Sequence, residues 1–317
     1  ATSLPYTELY MAIILLGTPF QMASFTLNSQ LRMQGNARYA MWGIISGALL
    51  NVVLDPILIF ACNLGLRGAA LATVIGQLVS VAVLLAMCHF RATAGVRLRP
   101  RYFSLHWHYV REIVYGGSPS LSRQGLASIS VILLNVAAAG YGDAAVAAMS
   151  IVSRVTMFVM AVIVGLGQGF QPFCGYCYGA ALYNRLRHGF WFTVRVGFIF
   201  LLFFSAVFFC FAEQTIAVFR DDAIVIAIGS TALRWHLAVY PLNAYIMAGN
   251  MMLQTTRRPI RANVLSSARK GLVFIPFILI LPHLFGLMGI AMCQAVCDVV
   301  TFIIAIPIVR SAFREMT

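Results

Sequence analysis

The amino-acid sequence predicts an all-α polytopic membrane protein, and three observations carry that prediction. Of 317 residues, 61% are hydrophobic and only 10% charged, whereas soluble domains carry about 25% charged residues. Apolar stretches recur at the length of roughly 20 residues that an α-helix needs to cross a bilayer core. Those stretches are continuously apolar, while barrel strands alternate polar and apolar positions.

Nine segments follow in order, over 8–28, 38–62, 66–90, 112–139, 143–175, 188–211, 223–254, 262–282 and 286–310. The first ends before a basic connection, 31–38, with Arg32 and Arg38. The second and third are joined by a tight glycine-containing turn, Asn63 to Gly68. The longest connection, 91–111, carries Arg91, Arg97, Arg99, Arg101, Arg111 and Pro100, and divides three segments (1–90) from six (112–317). In the second group, basic connections at 184–188 (Arg185, Arg187) and 255–261 (Arg257, Arg258, Arg261) alternate with acidic or neutral ones at 140–143, 212–222 and 282–286. Every second loop is therefore basic. By the bias of Lys and Arg toward the cytoplasm, those loops and the C-terminus are expected inside the cell. Glycines and prolines interrupt several segments, as membrane helices tolerate.

The net charge of +13 invites a nucleic-acid reading. The basic residues lie between apolar segments, however, which suits loops facing anionic lipid instead. The N-terminal Ala-Thr-Ser-Leu-Pro-Tyr-Thr-Glu has no positive n-region and no cleavage site, so it is read as an interhelical loop and not as a signal peptide. Cys174-Gly-Tyr-Cys177 is a single CxxC with no second pair; helix packing is the better reading than zinc or redox chemistry, and no metal site is expected. His106-Trp-His108 reads as an interfacial loop. Neither HExxH nor GxSxG occurs, and the acids lack the contexts of intramembrane aspartyl proteases, so no enzyme is expected.

An internal repeat relates the two groups. Gln34 with its basic loop pairs with Gln254, and Pro56 with Pro276, both 220 residues apart; the turn at Gly65 to Gly68 pairs with that at Gly286 to Gly289, 221 apart. Both copies start on a basic loop, which makes the repeat parallel, about an axis along the membrane normal. A complete pair needs six segments before residue 91, so three further helices are expected upstream.

Asp55 lies deep in the second segment, four residues after Asn51. A carboxylate there costs about 2.5–3.5 kcal/mol on insertion scales. The i, i+4 spacing puts both side chains on one helix face, and Thr73 follows the turn at similar depth. Two readings stay open: an ion or proton site, and a hydrogen-bonded packing cluster. Asp298 is the other deep acid, and pairing with Arg269 or Lys270 is the favoured reading.

These residues carry a family resemblance. Gln34-Gly-Asn-Ala-Arg38, Leu50-Asn51-Val-Val-Leu-Asp55-Pro56, Gly68-Ala-Ala-Leu-Ala-Thr73, Gly165-Leu-Gly-Gln-Gly-Phe-Gln171-Pro172 and Gly179-Ala180 together resemble the multidrug and toxic compound extrusion (MATE) transporters, in their DinF-like branch. The lipid-linked sugar flippases share the gross architecture and are one alternative; a non-transporting truncated remnant is the other. The resemblance implies a two-lobe bundle of twelve helices, of which this chain holds nine. It implies a monomeric antiporter of the plasma (inner) membrane that exports drugs or amphipathic metabolites by alternating access, with H⁺ or Na⁺ as coupling ion and no other cofactor. Residues 1–90 correspond to the second half of the first lobe and 112–317 to the second lobe. Asn51, Asp55 and Thr73 match three positions of a first-lobe cation site, whose fourth member, a first-helix Asp, has no counterpart here. Arg123, Gln124, Arg154, Gln168, Gln171 and Arg234 are candidates for the substrate cavity, and Pro119 and Pro172 for helix bends. Phe170, Tyr176 and Tyr178 are expected to pack.

Overall fold

The computed structural model describes residues 4–90 and 106–316, excluding the side chains of 4–7 and Phe90. Among them nine helices are long and apolar enough to cross a membrane. The basic linker at 91–105 lies outside the described residues. The last residues of the connection expected at 91–111, from Trp107, form the start of a helix, so the fourth span begins five residues earlier than expected.

The chain divides at residue 104 into two units. The first holds α1 (Leu4–Met33), α2 (Ala37–Pro56) and α3 (Leu66–Phe90). The second holds α4 (Trp107–Ala139), α5 (Asp143–Gly179), α6 (Tyr183–Cys210), α7 (Ala212–Phe219), α8 (Ala223–Val239), α9 (Asn243–Thr255), α10 (Pro259–Ser267), α11 (Phe274–Phe285) and α12 (Leu287–Arg314). The connection at 212–222, expected as a plain loop, contains α7, whose Glu213 pairs with Arg234 of α8 at 3.1 Å. Asp222 caps α8 by accepting from the backbone N–H groups of Ile224 and Val225 at 3.0 and 3.4 Å, satisfying donors that have no intrahelical partner.

Three spans depart from α geometry. A π-helical turn, Ile57–Ala61, follows Pro56. A second, Ala268–Leu272, separates α10 from α11, and a 3₁₀ turn at Tyr240–Leu242, with Pro241 supplying no N–H, separates α8 from α9. Loosened backbone groups need new partners. The buried Ser130 hydroxyl of α4 donates to the Lys270 carbonyl inside the second π turn. By contrast, α4 and α5 remain continuous helices through Pro119 and Pro172.

The repeat is present, but its register differs from the sequence pairing. Asn28 donates to the Ala40 carbonyl at 2.7 Å, and Asn250 to that of Ala262 at 3.0 Å. The Asn36 N–H bonds the Leu31 carbonyl, and the Arg258 N–H that of Leu253. Gly35 and Arg257 both take positive φ, 80° and 55°. Each of these pairs is 222 residues apart, not 220. Gly65 and Gly286 then match at 221, with φ of 54° and 58°. Pro56 and Pro276 are consequently not equivalent: Pro56 precedes its π turn, whereas Pro276 lies beyond the other, in the first turn of α11. Each copy contains one irregular turn, at a different height along the helix. Identical apolar letters on either side of a proline matched at the wrong register, and only backbone hydrogen bonds reveal the true one.

The core of the second unit is apolar and close-packed. Cys174 and Cys177 are fully buried there among Phe170, Phe190 and Leu253, in agreement with packing. Phe190 stands edge-on to Phe170, Tyr245 and Phe313, with centroids 5.3–6.4 Å apart, a favoured aromatic geometry. Tyr178 lies against Tyr183, while Tyr176 is exposed. His108 pairs with Glu112 on the exposed first turn of α4 at 3.5 Å. At the end of α12, Glu315 receives Arg258 and Arg261, each at 2.6 Å, tying the α9–α10 turn to the C-terminal residues.

Two predictions follow from this packing. In the first unit, α2 and α3 cross at Gly47 and Gly76, and a Cβ on Gly47 would stand 2.5 Å from the Gly76 carbonyl oxygen. Gly47→Ala is expected to destabilise the protein by about 1–3 kcal/mol, the usual cost of overpacking, read as a lowered thermal midpoint in detergent. In the second, the Arg261 hydrogen bond holds the Glu315 carboxyl below its ordinary range. A depressed carboxylate stabilises above its unfolded pKa of about 4.3 and loses that contribution as pH falls through the lower folded value. Protection factors at 255–258, taken against the intrinsic exchange rate at each pH, should therefore fall below about pH 4 in the parent protein, and Glu315→Gln should abolish that fall.

Candidate functional site

The first unit has a cavity of about 210 Å³ between its three helices. Asn51 of α2 and Thr73 of α3 both line it, with Gln21, Gln77 and Ser80. The cavity exists because of the crossing just described: Gly47 and Gly76 contribute backbone where other residues would project side chains. Asn51 donates to the Asp55 carboxylate at 3.4 Å. Asp55 itself sits one turn along α2, outside the cavity lining and half-buried. Thr73 donates to its own helix, at the Ala69 carbonyl, 3.0 Å, which leaves its oxygen lone pairs facing the cavity. Ser24 and Ser80 share a hydrogen bond of 2.7 Å, and Ser80 also donates to the Gly43 carbonyl at 2.9 Å.

Two of the three expected cation ligands thus share one cavity, and the third reaches it through Asn51. Sequence reasoning missed Gln77, whose Oε1 is buried with no hydrogen-bond partner. The signal for it was available: Gln77 follows Thr73 by four residues and therefore shares its face. The oxygens of Asn51, Thr73 and Gln77 are hard donors of the kind that suit a cation such as Na⁺.

The second unit is organised differently. Asp298 of α12 has no exposed surface. Arg269 in the π turn bonds it through Nε at 2.8 Å and through a terminal nitrogen at 3.4 Å. Asn243 donates at 2.8 Å and Gln294 at 3.0 Å, and His236 Nε2 stands 3.8 Å away. Lys270 donates to the Gln294 amide oxygen at 2.8 Å. Both cations named from the sequence therefore engage the acid, Arg269 directly and Lys270 through Gln294.

The six substrate-cavity candidates do not converge on one place. Arg123 and Gln124 line a cavity of about 420 Å³ with Asn243, Met247, Arg269 and Lys270. Arg234 is at the other end of its interactions, paired with Glu213 of α7. It does not line the Arg123 cavity. Arg154 is exposed, and Gln168 and Gln171 are half-buried; none of the three lines the Arg123 cavity.

With this geometry in place, comparison with known proteins defines the class. The MatE family model matches residues 1–57 and 119–280. The chain belongs to the MatE family, whose members are helical membrane transporters and not enzymes. It is 27% identical over 308 residues to multidrug export protein MepA of Staphylococcus saprophyticus, covering 97% of this chain and 67% of that protein. Against MepA of Staphylococcus aureus it is 28% identical over 289 residues, covering 91% and 63%. Among solved structures, the outward-facing conformation of a multidrug resistance MATE family transporter of the MOP superfamily superposes with a TM-score of 0.89 at 25% identity, over 97% of this chain and 69% of that one. A MATE crystallised in complex with MaL6 gives the same TM-score and identity, over 97% and 70%. The chain thus spans about two thirds of the length of these relatives.

The Asp298 hub generates a stability prediction. Removing one partner of a buried pair leaves the other charge uncompensated and typically costs about 3–5 kcal/mol, whereas replacing both with apolar residues is often neutral. Arg269→Met should lower the thermal midpoint strongly, and adding Asp298→Leu should recover much of the loss. Equal destabilisation by the single and the double variant would overturn this reading of the pair.

Proposed function

We propose that this chain is part of an ion-coupled antiporter that exports drugs or amphipathic metabolites by alternating access across the plasma membrane. Family membership supports transport, and the MepA relatives are named as multidrug export proteins. The observation that carries ion coupling is the half-buried carboxylate of Asp55, bonded to Asn51 beside a cavity lined by Thr73 and Gln77. Helix packing needs no acid at that depth, and its cost of about 2.5–3.5 kcal/mol is recovered if a cation or proton binds there. In this reading the coupling ion, H⁺ or Na⁺, engages Asp55 and Asn51 and takes further oxygens from Thr73 and Gln77. Binding neutralises the α2 carboxylate and so biases the first unit between two packings. The basic loops and the C-terminus face the cytoplasm, and the protein acts as a monomer without further cofactor.

Efflux of a fluorescent substrate from vesicles tests this, driven in separate arms by a pH gradient and by a Na⁺ gradient. Asp55→Asn is expected to reduce gradient-driven efflux to background while membrane insertion and helicity are kept. Undiminished coupling in that variant would remove Asp55 from the mechanism, and a response to one gradient alone identifies the ion.

A further inference from the structure

The charge cluster of the second unit has no counterpart in its repeat. At the separations the backbone establishes, Gly47 and Ala48 occupy the places of Arg269 and Lys270, Gln77 that of Asp298, and Thr73 that of Gln294. The first unit builds the same crossing of three helices around Asn28 with glycine, alanine and neutral polar side chains. A helix crossing of this kind can therefore be built without charge. Charges buried in a membrane span are expensive and mark function more often than architecture.

Their balance shows what kind of function. Three cations, Arg123, Arg269 and Lys270, line the 420 Å³ cavity. The one carboxylate beside them, Asp298, is already occupied by Arg269, Asn243 and Gln294. Among the described residues, neither Arg123 nor Lys270 has an ion-pair partner. Lys270 donates to a neutral amide oxygen, and a terminal nitrogen of Arg123, Nη1, is buried with no hydrogen-bond partner. The cavity thus carries surplus positive charge and at least one unsatisfied guanidinium donor. Its lining also includes Met157, Met160 and Met247, apolar and adaptable side chains that repack around varied shapes. The volume lies within the range of small-molecule sites.

We infer that this cavity is a binding site for an organic anion, a carboxylate, sulfonate or phosphate carried on an apolar body. The anionic group bonds Arg123 and Lys270, and the apolar body lies against the methionines. Arg269 stays with Asp298 and holds the π turn, so that Lys270 in the next position is presented to the cavity. The same anionic chemistry can arrive as a free solute or as a lipid headgroup. This site is separate from the Asp55 cluster, and binding to it requires no ion gradient, so its test stands apart from that of coupled efflux.

The test is equilibrium dialysis of the full chain in phosphatidylcholine nanodiscs against radiolabelled 2-naphthoate, with 2-naphthylmethylammonium as the cation of matched shape. Naphthoate is expected to bind at least about tenfold more tightly, and Arg123→Gln to lose about tenfold or more of that affinity. Arg123→Lys, which keeps the charge, should retain most of it, and Arg195→Gln, on an exposed part of α6, should leave it unchanged. Nanodiscs containing phosphatidylglycerol separate the sources: competition assigns the site to a lipid headgroup, and its absence assigns it to a free anion. No preference for naphthoate over the cation, or an Arg123→Gln variant of parental affinity and helicity, overturns the inference. Should Arg123→Gln lose its helicity, Lys270→Gln with retained helicity supplies the same comparison, and its unchanged affinity would be equally decisive against the site.

Discussion

A carboxylate with no exposed surface holds the second unit together. Asp298 gathers Arg269 from the π turn, Asn243 from the start of α9 and Gln294 from its own helix, with His236 of α8 close by. In a membrane-embedded protein no water is at hand to solvate such a group, so each of its lone pairs must find a donor within the protein. That requirement fixes where α8 gives way to α9, since Asn243 follows directly on the 3₁₀ turn at Pro241. It also gives the π turn a purpose: the irregular stretch at Ala268–Leu272 carries Arg269 to the acid and Lys270 beside it. The Ser130 hydroxyl then satisfies the carbonyl of Lys270.

The first unit solves the same crossing without charge. Asn28 and Asn250 make the same bond to the following helix, so the frame is shared. Where the second unit places an arginine, the first places Gly47 against Gly76 and leaves a cavity lined with amide and hydroxyl oxygens. One frame therefore supports two chemistries: a neutral oxygen-lined cavity beside Asp55, and a cationic cavity beside Asp298. Small residues permit the close helix approach that membranes favour, and here they also leave a cavity.

In the proposed reading, the two functions of this chain are divided by position along a repeat. The proposed coupling ion and the proposed organic anion bind to opposite kinds of site, one rich in oxygen and one rich in nitrogen donors. A carboxylate at Asp55 and a surplus of cations at Arg123 and Lys270 are both costly in a membrane, and in the proposed reading a bound partner offsets the part of each cost that Asn51 and Gln294 leave.

Much of this was legible from the residues alone. Length, apolarity and the alternation of basic loops determine nine spans and their helical nature, because lipid leaves the backbone no choice but internal hydrogen bonding. The motif around Asn51, Asp55 and Thr73 marked the first-unit cluster, because an i, i+4 spacing survives any packing of the helix. Asp298 could be assigned a cationic partner because an unpaired acid there is untenable. What the sequence could not decide was anything that depends on helix rotation or register. Arg123 and Arg234 look alike as intramembrane arginines, yet one lines a cavity and the other binds Glu213 of a short helix read as loop. The repeat pairs at 220 by its letters but at 222 by its hydrogen bonds, since similar apolar runs around a proline can be matched at more than one register. Which side chains meet is set by such differences of register, and only the tertiary structure resolves them.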